Sequence, residues 1–513
     1  MQNNKTIANA AAFVLVVTVV AKVIGFLESA IVAAYFGTTV EIDMFYLACN
    51  IANKFVFTIF SGLAVVGLTM YNNKLIEGGK ESGSKFVTGL LWYMIPLAVI
   101  ISIVIYVSAP FVSRIMTSNY SYNETVILTR YLRELSIITV FYVTTTIFTF
   151  VLNANKIFIP GVLVGSIQNI CMIVFIISLS GKIGAISIVY GLIVGYILQT
   201  IFLFLFARKI VNFGKCSPKR DVDFRKIILL ILPLLLGEAT AEVNQLIDQY
   251  LATIEGAGYV SGLSYSETLN DVVTALFIQT VTTVLLSFFS ALAVRKQYAE
   301  MLSELKMIFK YMTLILIPVS IISVMKADRI VSFVFERGNF DKTSVAITAT
   351  ALAGYALGFV FKTIMVIAKR PFFAIENTRT PMVIGIVAVC INIALSICLS
   401  RIWGIFGITV ATSISYFCAC IIYFVLLSKT FVEMHWDDCL SFIWKVLIAS
   451  VITIIVLLSI NTLLPEQNFL NLVIATISTF SVYILLLYFL RTREIYALKK
   501  LILFKINKTK QND

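Results

Sequence analysis

The 513-residue sequence has one histidine, His435, nine prolines, and only 13% charged residues. A soluble globular chain is about 25% charged. That scarcity excludes a soluble enzyme and a disordered protein. A single histidine excludes a His-based metal centre and leaves no Ser/His/Asp constellation to assemble. The eight cysteines, Cys49, Cys171, Cys216, Cys390, Cys398, Cys418, Cys420 and Cys439, fall mostly within apolar stretches. There Cys behaves as a small hydrophobe. They form neither a disulfide framework nor a zinc spacing, and Cys418 and Cys420, two apart, point to different faces of a helix. Gly78–Lys85 is rich in Gly and Lys but lacks the GxxxxGK[ST] spacing and a flanking strand. It reads as a flexible turn. With no nucleotide-binding domain, any transport is secondary or facilitated. No connection is long enough for a soluble domain, which argues against a membrane-embedded glycosyltransferase or polymerase with a large outside loop.

What fills the sequence is apolar: 59% of residues are hydrophobic and the mean hydropathy is +0.96. The expected fold is an all-α polytopic membrane protein with about 14 transmembrane helices, at roughly 20 residues per span. The apolar segments run over 7–36, 43–71, 86–112, 125–153, 158–180, 183–207, 227–253, 269–294, 305–325, 344–368, 381–400, 405–428, 441–463 and 468–490. They are long and continuous, without strand alternation, so helices are expected rather than a barrel. The first segment lacks a small-residue cleavage site and reads as a retained span.

An even number of spans places both termini on one side. That side collects most of the Lys and Arg, including Lys74, Lys80, Lys85, the cluster Arg208–Lys226, Arg295, Lys296, Lys306 and the tail Arg491–Lys510. The bias predicts cytoplasmic termini in a multi-pass membrane protein. It also accounts for the formal charge of +13 without a nucleic-acid partner; the bilayer is the expected surroundings.

The halves resemble each other at an offset of about 220 residues. Asn155–Pro160 opens the fifth span and Asn377–Pro381 the eleventh. Asn169 and Asn392 are each followed fifteen residues later by a glycine, Gly184 and Gly407. Gly37 and Gly256/Gly258 end the first span of each half, followed by Tyr46 and Tyr265. The expected organisation is two pseudo-symmetric six-helix bundles plus two C-terminal helices. Residues 1–207 form the N-terminal six-helix bundle, 208–226 a basic cytoplasmic linker and 227–428 the C-terminal six-helix bundle. Residues 429–490 are two additional transmembrane helices and 491–513 a basic cytoplasmic tail. Repeats of like orientation are a transporter signature.

A charge at the bilayer centre costs about 2.5–3.5 kcal/mol on insertion scales, so it generally has a partner or a function. Lys22 and Glu28 lie in the first span, Asp43 and Lys54 mark the second, and Glu238, Glu242 and Asp248 the seventh. Glu267 and Asp271 open the eighth, and Lys362 lies in the tenth. Lys22 and Glu28, six apart, are separated by about 9 Å of helix rise and are no tight pair. Glu238 and Glu242 share a face. The candidate substrate-binding residues are Lys22, Glu28, Asp43, Lys54, Glu238 and Glu242, with Asp248 as a cation-coupling residue. Gly25 and Gly37 are candidate hinges of the first helix. Arg130 and Arg133, near the start of the fourth span, read as interfacial anchors.

Three patches resemble the MurJ/MviN family, the bacterial lipid II flippases: Lys22–Phe26 with Phe36-Gly37 and Asp43–Phe45; Val334–Asp341; and Phe372–Pro381. The resemblance implies two six-helix bundles in a V with alternating access, and two further helices. It also implies translocation of an undecaprenyl-pyrophosphate-linked saccharide to the outer leaflet, coupled to membrane potential or a cation gradient. Na+ or H+ is the implied coupling ion, and no other cofactor is expected. Family members carry cavity arginines, which suit a pyrophosphate because guanidinium bonds it bidentately. This sequence has Lys22 and Glu28 at the first two of those positions, Val56 and Phe57 in the second span and Thr268 at the start of the eighth. Asp43 is retained, and Asp248 matches an acid resembling part of a sodium site in some relatives. The favoured substrate is lipid II. The alternatives are an exopolysaccharide or capsule repeat unit, amphipathic drugs exported on the same scaffold, or a non-transporting scaffold. Cell-wall synthesis proteins are the implied protein partners.

Overall fold

The computed structural model describes residues 2–214, 222–275, 277, 280–431, 437–463 and 469–496. Among them the regular structure is helical, with no strand. In lipid only a helix or a closed barrel satisfies its own backbone polar groups. The described residues of each expected apolar segment are mostly helical. The elements are α1 (Gln2–Phe36), α2 (Val40–Met116), α3 (Tyr122–Leu135), α4 (Ile138–Ala154), α5 (Ile159–Ile183), α6 (Ile186–Ala207) and α7 (Phe224–Glu255). They continue with α8 (Tyr259–Thr274), α9 (Thr280–Val294), α10 (Tyr298–Met325), α11 (Ala327–Phe335), α12 (Lys342–Ala356), α13 (Phe359–Ala368) and α14 (Arg370–Ala374). The last are α15 (Arg379–Thr430), α16 (Asp437–Leu463) and α17 (Phe469–Phe489).

Nine described helices are long and apolar enough to cross a membrane, and α12 with α13–α14, bent by 42°, makes a tenth. Two of the nine are too long for one crossing. At 1.5 Å per residue, α2 and α15 would reach about 115 and 78 Å, against a hydrocarbon core of about 30 Å. Both are broken, α2 at Gly78-Gly79 and α15 at Gly404. Counted as two crossings each, they raise the ten to twelve among the described residues, consistent with about fourteen in the whole chain. Within the expected linker, residues 215–221 lie outside the described set, as do 497–513 of the expected tail.

The chain divides into two compact units: Met1–Ser264 with Phe335–Ser344, and Tyr265–Val334 with Val345–Asp513. The core of the first is built by α2, α4, α6 and α7. Val56, Phe60, Leu63, Phe86, Leu90, Ile147, Phe150, Leu203 and Ile231 are buried together there. The seventh helix therefore packs with the N-terminal set. The core of the second is built by α9, α10 and α13–α15 around Phe289, Leu305, Phe309, Ile367, Phe372, Ile384 and Tyr423. There α16 and α17 pack on α10 through Leu314, Phe442, Val446 and Tyr483.

The internal repeat is visible as local geometry repeated at an interval of 220 residues. Lys156 and Glu376 both have φ 61°. Each closes a helix with the same two bonds: Lys156 N–H to Asn153 O and Ile157 N–H to Leu152 O, then Glu376 N–H to Phe373 O and Asn377 N–H to Phe372 O. This is the Schellman closure, with a charged residue where glycine is usual. Gly184 and Gly404 share a second device, with φ 67° and 57° and ψ −150° and −138°. Only glycine enters that region without strain. A third is a bond between neighbouring helices: Thr200 Oγ1 to Phe141 O at 3.5 Å and Cys420 Sγ to Phe361 O at 3.1 Å. The expected equivalence of Gly184 with Gly407 is therefore corrected to Gly404. Asn169 and Asn392 are likewise three residues out of register.

Candidate functional site

All nine sequence-predicted site residues belong to the first unit, and the structure sorts them into separate groups. Lys54 on α2 meets Glu242 on α7, with Nζ 2.5 Å from Oε2, and also donates to Gln245 Oε1. Glu242 and Gln245 are three apart and share a helix face. The side chains of Lys54 and Glu242 are 12% and 19% exposed, so the pair is largely desolvated. Such a pair holds when further hydrogen bonds satisfy its atoms, and Gln245 supplies one. Sequence reasoning missed Gln245, although its spacing from Glu242 marks the same face. The side chain of Glu238 lies outside the described residues.

Asp43 forms the second group. It is fully buried. Oδ2 accepts from Gly258 N–H at 2.5 Å and from the Tyr120 hydroxyl at 3.2 Å; Oδ1 accepts from Ser261 N–H at 2.8 Å. Tyr120 Oη also lies 2.9 Å from the Gly256 carbonyl. Gly258 and Ser261 are at the start of α8, where the first N–H groups have no partner within the helix and a negative charge is favoured. Asp43, expected from the sequence to bind substrate, has its carboxylate engaged with the end of α8 in this structure.

The two glycines expected as hinges have distinct surroundings. Gly37 ends α1 with φ 58°, donating its N–H to Ala33 O at 2.7 Å. A Cβ there would run into the Asn339 carbonyl, so the position is reserved for glycine. Gly25 lies within uninterrupted α1, and a Cβ on it would stand 3.0 Å from Asn169 Nδ2, which makes it a packing position against α5. The turn Val334–Asp341 supplies the cap of α1: Asn339 donates its N–H to Ala34 O at 2.8 Å and Nδ2 to Tyr35 O at 2.5 Å. Asp341 in turn caps α12, accepting from Ser344 N–H and Oγ at 2.8 Å. The Ser344 N–H bond, and then the Oγ bond, hold its carboxyl below the usual carboxylate range.

Lys22 is exposed on α1, and among the described residues no acid forms an ion pair with it. Glu28 is half-buried and accepts from Ser29 Oγ at 3.3 Å. Asp248, 4% exposed, accepts from Asn244 Nδ2 at 3.4 Å. Among the described residues no group of three or more His, Cys, Asp or Glu could hold a metal ion. In the second unit Glu267 accepts from the Tyr355 hydroxyl at 3.3 Å, and Lys362 lies within electrostatic reach of Asp271 and Glu267.

A family model described as "Lipid II flippase MurJ" matches residues 32–478. The chain belongs to the MurJ family. Relatives named as probable lipid II flippases MurJ include one from Treponema pallidum, 23% identical over 414 residues and covering 77% of each chain. Another, from Borreliella burgdorferi, is 25% identical over 456 residues, covering 87% of this chain and 88% of the relative. Among solved structures, "Lipid II flippase MurJ, inward closed conformation" matches with TM-score 0.79 at 23% identity, covering 94% of this chain and 99% of that one. An inward-facing multidrug transporter of the MATE family matches with TM-score 0.68 at 14% identity, over 79% of this chain and 93% of the other. These structures share the fold.

Three positions where the resemblance implies arginine hold other residues. Val56, where the resemblance expects arginine, is 1% exposed in the hydrophobic core. Thr268 is half-buried and Glu28 reverses the expected sign. Of the cations expected at the site, Lys22 is exposed and Lys54 is engaged with Glu242.

Proposed function

We propose that the chain carries a polyprenyl-pyrophosphate-linked saccharide, lipid II foremost, from the inner to the outer leaflet of a bacterial cell membrane by alternating access, with both termini cytoplasmic. Membership of the MurJ family over residues 32–478 carries this reading. Lys22 is the cation placed to meet an entering pyrophosphate, because it is exposed and in no ion pair among the described residues. Lys54 starts engaged. A pyrophosphate bears more charge than one carboxylate and competes with Glu242 for the ammonium group. The released carboxylate then needs a proton or a cation, which ties substrate entry to coupling. Asp248, buried with Asn244 on the same helix, is the second acid for that role. An ion shifts the conformational balance only by its differential affinity for the two states.

The test is rescue: the chain is expressed in bacteria depleted of their own lipid II flippase, and outer-leaflet lipid II is assayed. Restored exposure, lost again in Lys22→Ala at equal expression, is the expected result. Full flipping by Lys22→Ala removes the role of Lys22. No rescue by membrane-inserted protein moves the substrate to an exopolysaccharide or capsule precursor. The observation favouring that second reading is Glu28, whose half-buried carboxylate at an expected arginine position suits sugar hydroxyls better than phosphate.

A further inference from the structure

Arginines scarce in the interior converge elsewhere. Arg114 in the last turn of α2, and Arg130 and Arg133 on α3, line one open cleft of about 830 Å³ together with Tyr106, Tyr120 and Tyr122. Tyr106, Pro110 and Arg114 recur every fourth residue and so share one face of α2; Val126, Arg130 and Arg133 share one face of α3. The opposite side of α3 is buried through Leu128, Tyr131, Leu132 and Leu135, which fixes the arginine face outward. The Arg133 guanidinium stacks 5.1 Å over the Tyr106 ring. Stacking restrains the plane of the fork while leaving its N–H groups for an acceptor. Glu134 also lines the cleft. Among the described residues neither it nor any other acid forms an ion pair with the three arginines. Arg114 and Arg133 each suit the C-terminal end of their own helix. That accounts for their sign, but not for their convergence with Arg130 on one cleft.

A second observation says what kind of anion belongs there. One position round α2 from the Tyr106–Arg114 stripe runs a second stripe, Val107, Phe111 and Ile115, which are 70%, 70% and 49% exposed. The basic cleft is thus bordered by apolar surface along the same helix. A free phosphate uses only the first feature; a lipid uses both, with its head in the cleft and its chain along the stripe.

We infer that the cleft between α2 and α3 binds the phosphate-bearing headgroup of a membrane lipid, gripped by the guanidinium groups of Arg130 and Arg133 with Arg114. Two sources share this chemistry, a glycerophospholipid of the surrounding leaflet and a polyprenyl pyrophosphate. Only the second rests on the proposed transport function. The experiment titrates the purified full chain in neutral detergent with four probes, read by thermophoresis: short-chain phosphatidylglycerol, short-chain phosphatidylcholine, farnesyl pyrophosphate and inorganic pyrophosphate. Wild type is compared with Arg130→Gln/Arg133→Gln, and with Lys74→Gln/Lys80→Gln, which removes equal charge at the Gly78 turn.

The expected result is tight binding of an anionic lipid, weakened about tenfold or more by the arginine double variant, as for loss of one charge-assisted contact, and unchanged by the lysine variant. Loss confined to phosphatidylglycerol assigns the site to a membrane phospholipid. Loss confined to farnesyl pyrophosphate assigns it to the polyprenyl headgroup. Equal weakening by both variants, or none by either, overturns the site. Inorganic pyrophosphate binding as tightly as either lipid overturns its lipid character. If the double variant elutes abnormally, Arg114→Gln, which leaves α3 untouched, replaces it with the same expectations.

Discussion

The helices before residue 208 and those from α12 to α15 carry the same backbone devices 220 residues apart, yet almost none of the same polar chemistry. Lys156 and Glu376 close their helices through identical bonds although one is a cation and the other an acid. Thr200 and Cys420 both reach the carbonyl 59 residues before them, one with oxygen and the other with sulfur. The interior charges do not repeat. The first unit holds Lys54–Glu242 and the Asp43 group, while the second holds Lys362 with Glu267 and Asp271. At the position of Lys362 the first unit has Tyr142. What persists between the repeats is how the chain turns; what has diverged is what it carries inside.

The largest departure from symmetry is the Asp43 group, so breaking it should give the largest effect. Asp43→Ala leaves the N–H groups of Gly258 and Ser261 without their acceptor, while the Tyr120 hydroxyl keeps the Gly256 carbonyl. The substitution should cost about 3 kcal/mol or more, at 1–3 kcal/mol per buried unsatisfied group, read as a fall in the unfolding temperature in detergent. Asp43→Asn, which keeps one acceptor oxygen, should fall between. Wild-type stability in Asp43→Ala would show that the group is not a structural tie.

Next is the ion pair. Lys54→Ala strands a largely buried carboxylate and should destabilise by about 3 kcal/mol, whereas Lys54→Met/Glu242→Leu should recover most of that, as paired apolar replacements do. Flipping measured in the same two variants separates roles. A double variant that is stable but inactive makes the pair functional; one that is stable and active makes it structural.

The repeat itself is tested by Gly184→Ala and Gly404→Ala. Both residues sit in a backbone region reserved for glycine, so each should lose about 1–3 kcal/mol, and by similar amounts. A large cost at one and none at the other would break the equivalence of the two turns. Gly407→Ala, by contrast, meets the Leu399 carbonyl and tests packing, not the repeat.

The smallest effect belongs to Asp341. Its carboxyl titrates below the usual range because Ser344 bonds the charged form. Its contribution is therefore present above the unfolded value near pH 4 and fades as pH falls through the lower folded value. Asp341→Asn should flatten that acid limb slightly and leave stability at pH 7 lowered by a few tenths of a kcal/mol, as at an exposed helix cap. An acid limb unchanged from wild type would remove Asp341 as its source.

Helix positions and class were legible because each crossing needs a continuous apolar run, and the sequence has little else. The register of the repeat was legible only to within a few residues. Gly407 was matched by residue type, whereas the turn is made by Gly404, and only backbone angles distinguish them. The charges were legible as anomalies but not as partners. Lys54 and Glu242 are 188 residues apart, and nothing local to either names the other. Asp43 read as a ligand because an acid at a span end has the same sequence signature whether it faces a substrate or an N-terminal helix end. The arginine cleft was hidden because Arg114 and the α3 arginines belong to two helices, each with a sufficient interfacial reason for its own cation.

The Asp43 carboxylate also imposes an order in time. It emerges 218 residues before Ser261, the last of its donors. At 5–20 residues per second, translation leaves it waiting on the order of ten to forty seconds. Through that interval the first hairpin sits in the bilayer with an acid that has not met its helix end. The insertion machinery must shelter it or leave it wet, and the N-terminal end of α2 can settle only once α8 has arrived. The membrane therefore receives these helices in sequence, but the early ones become native only when a late one docks.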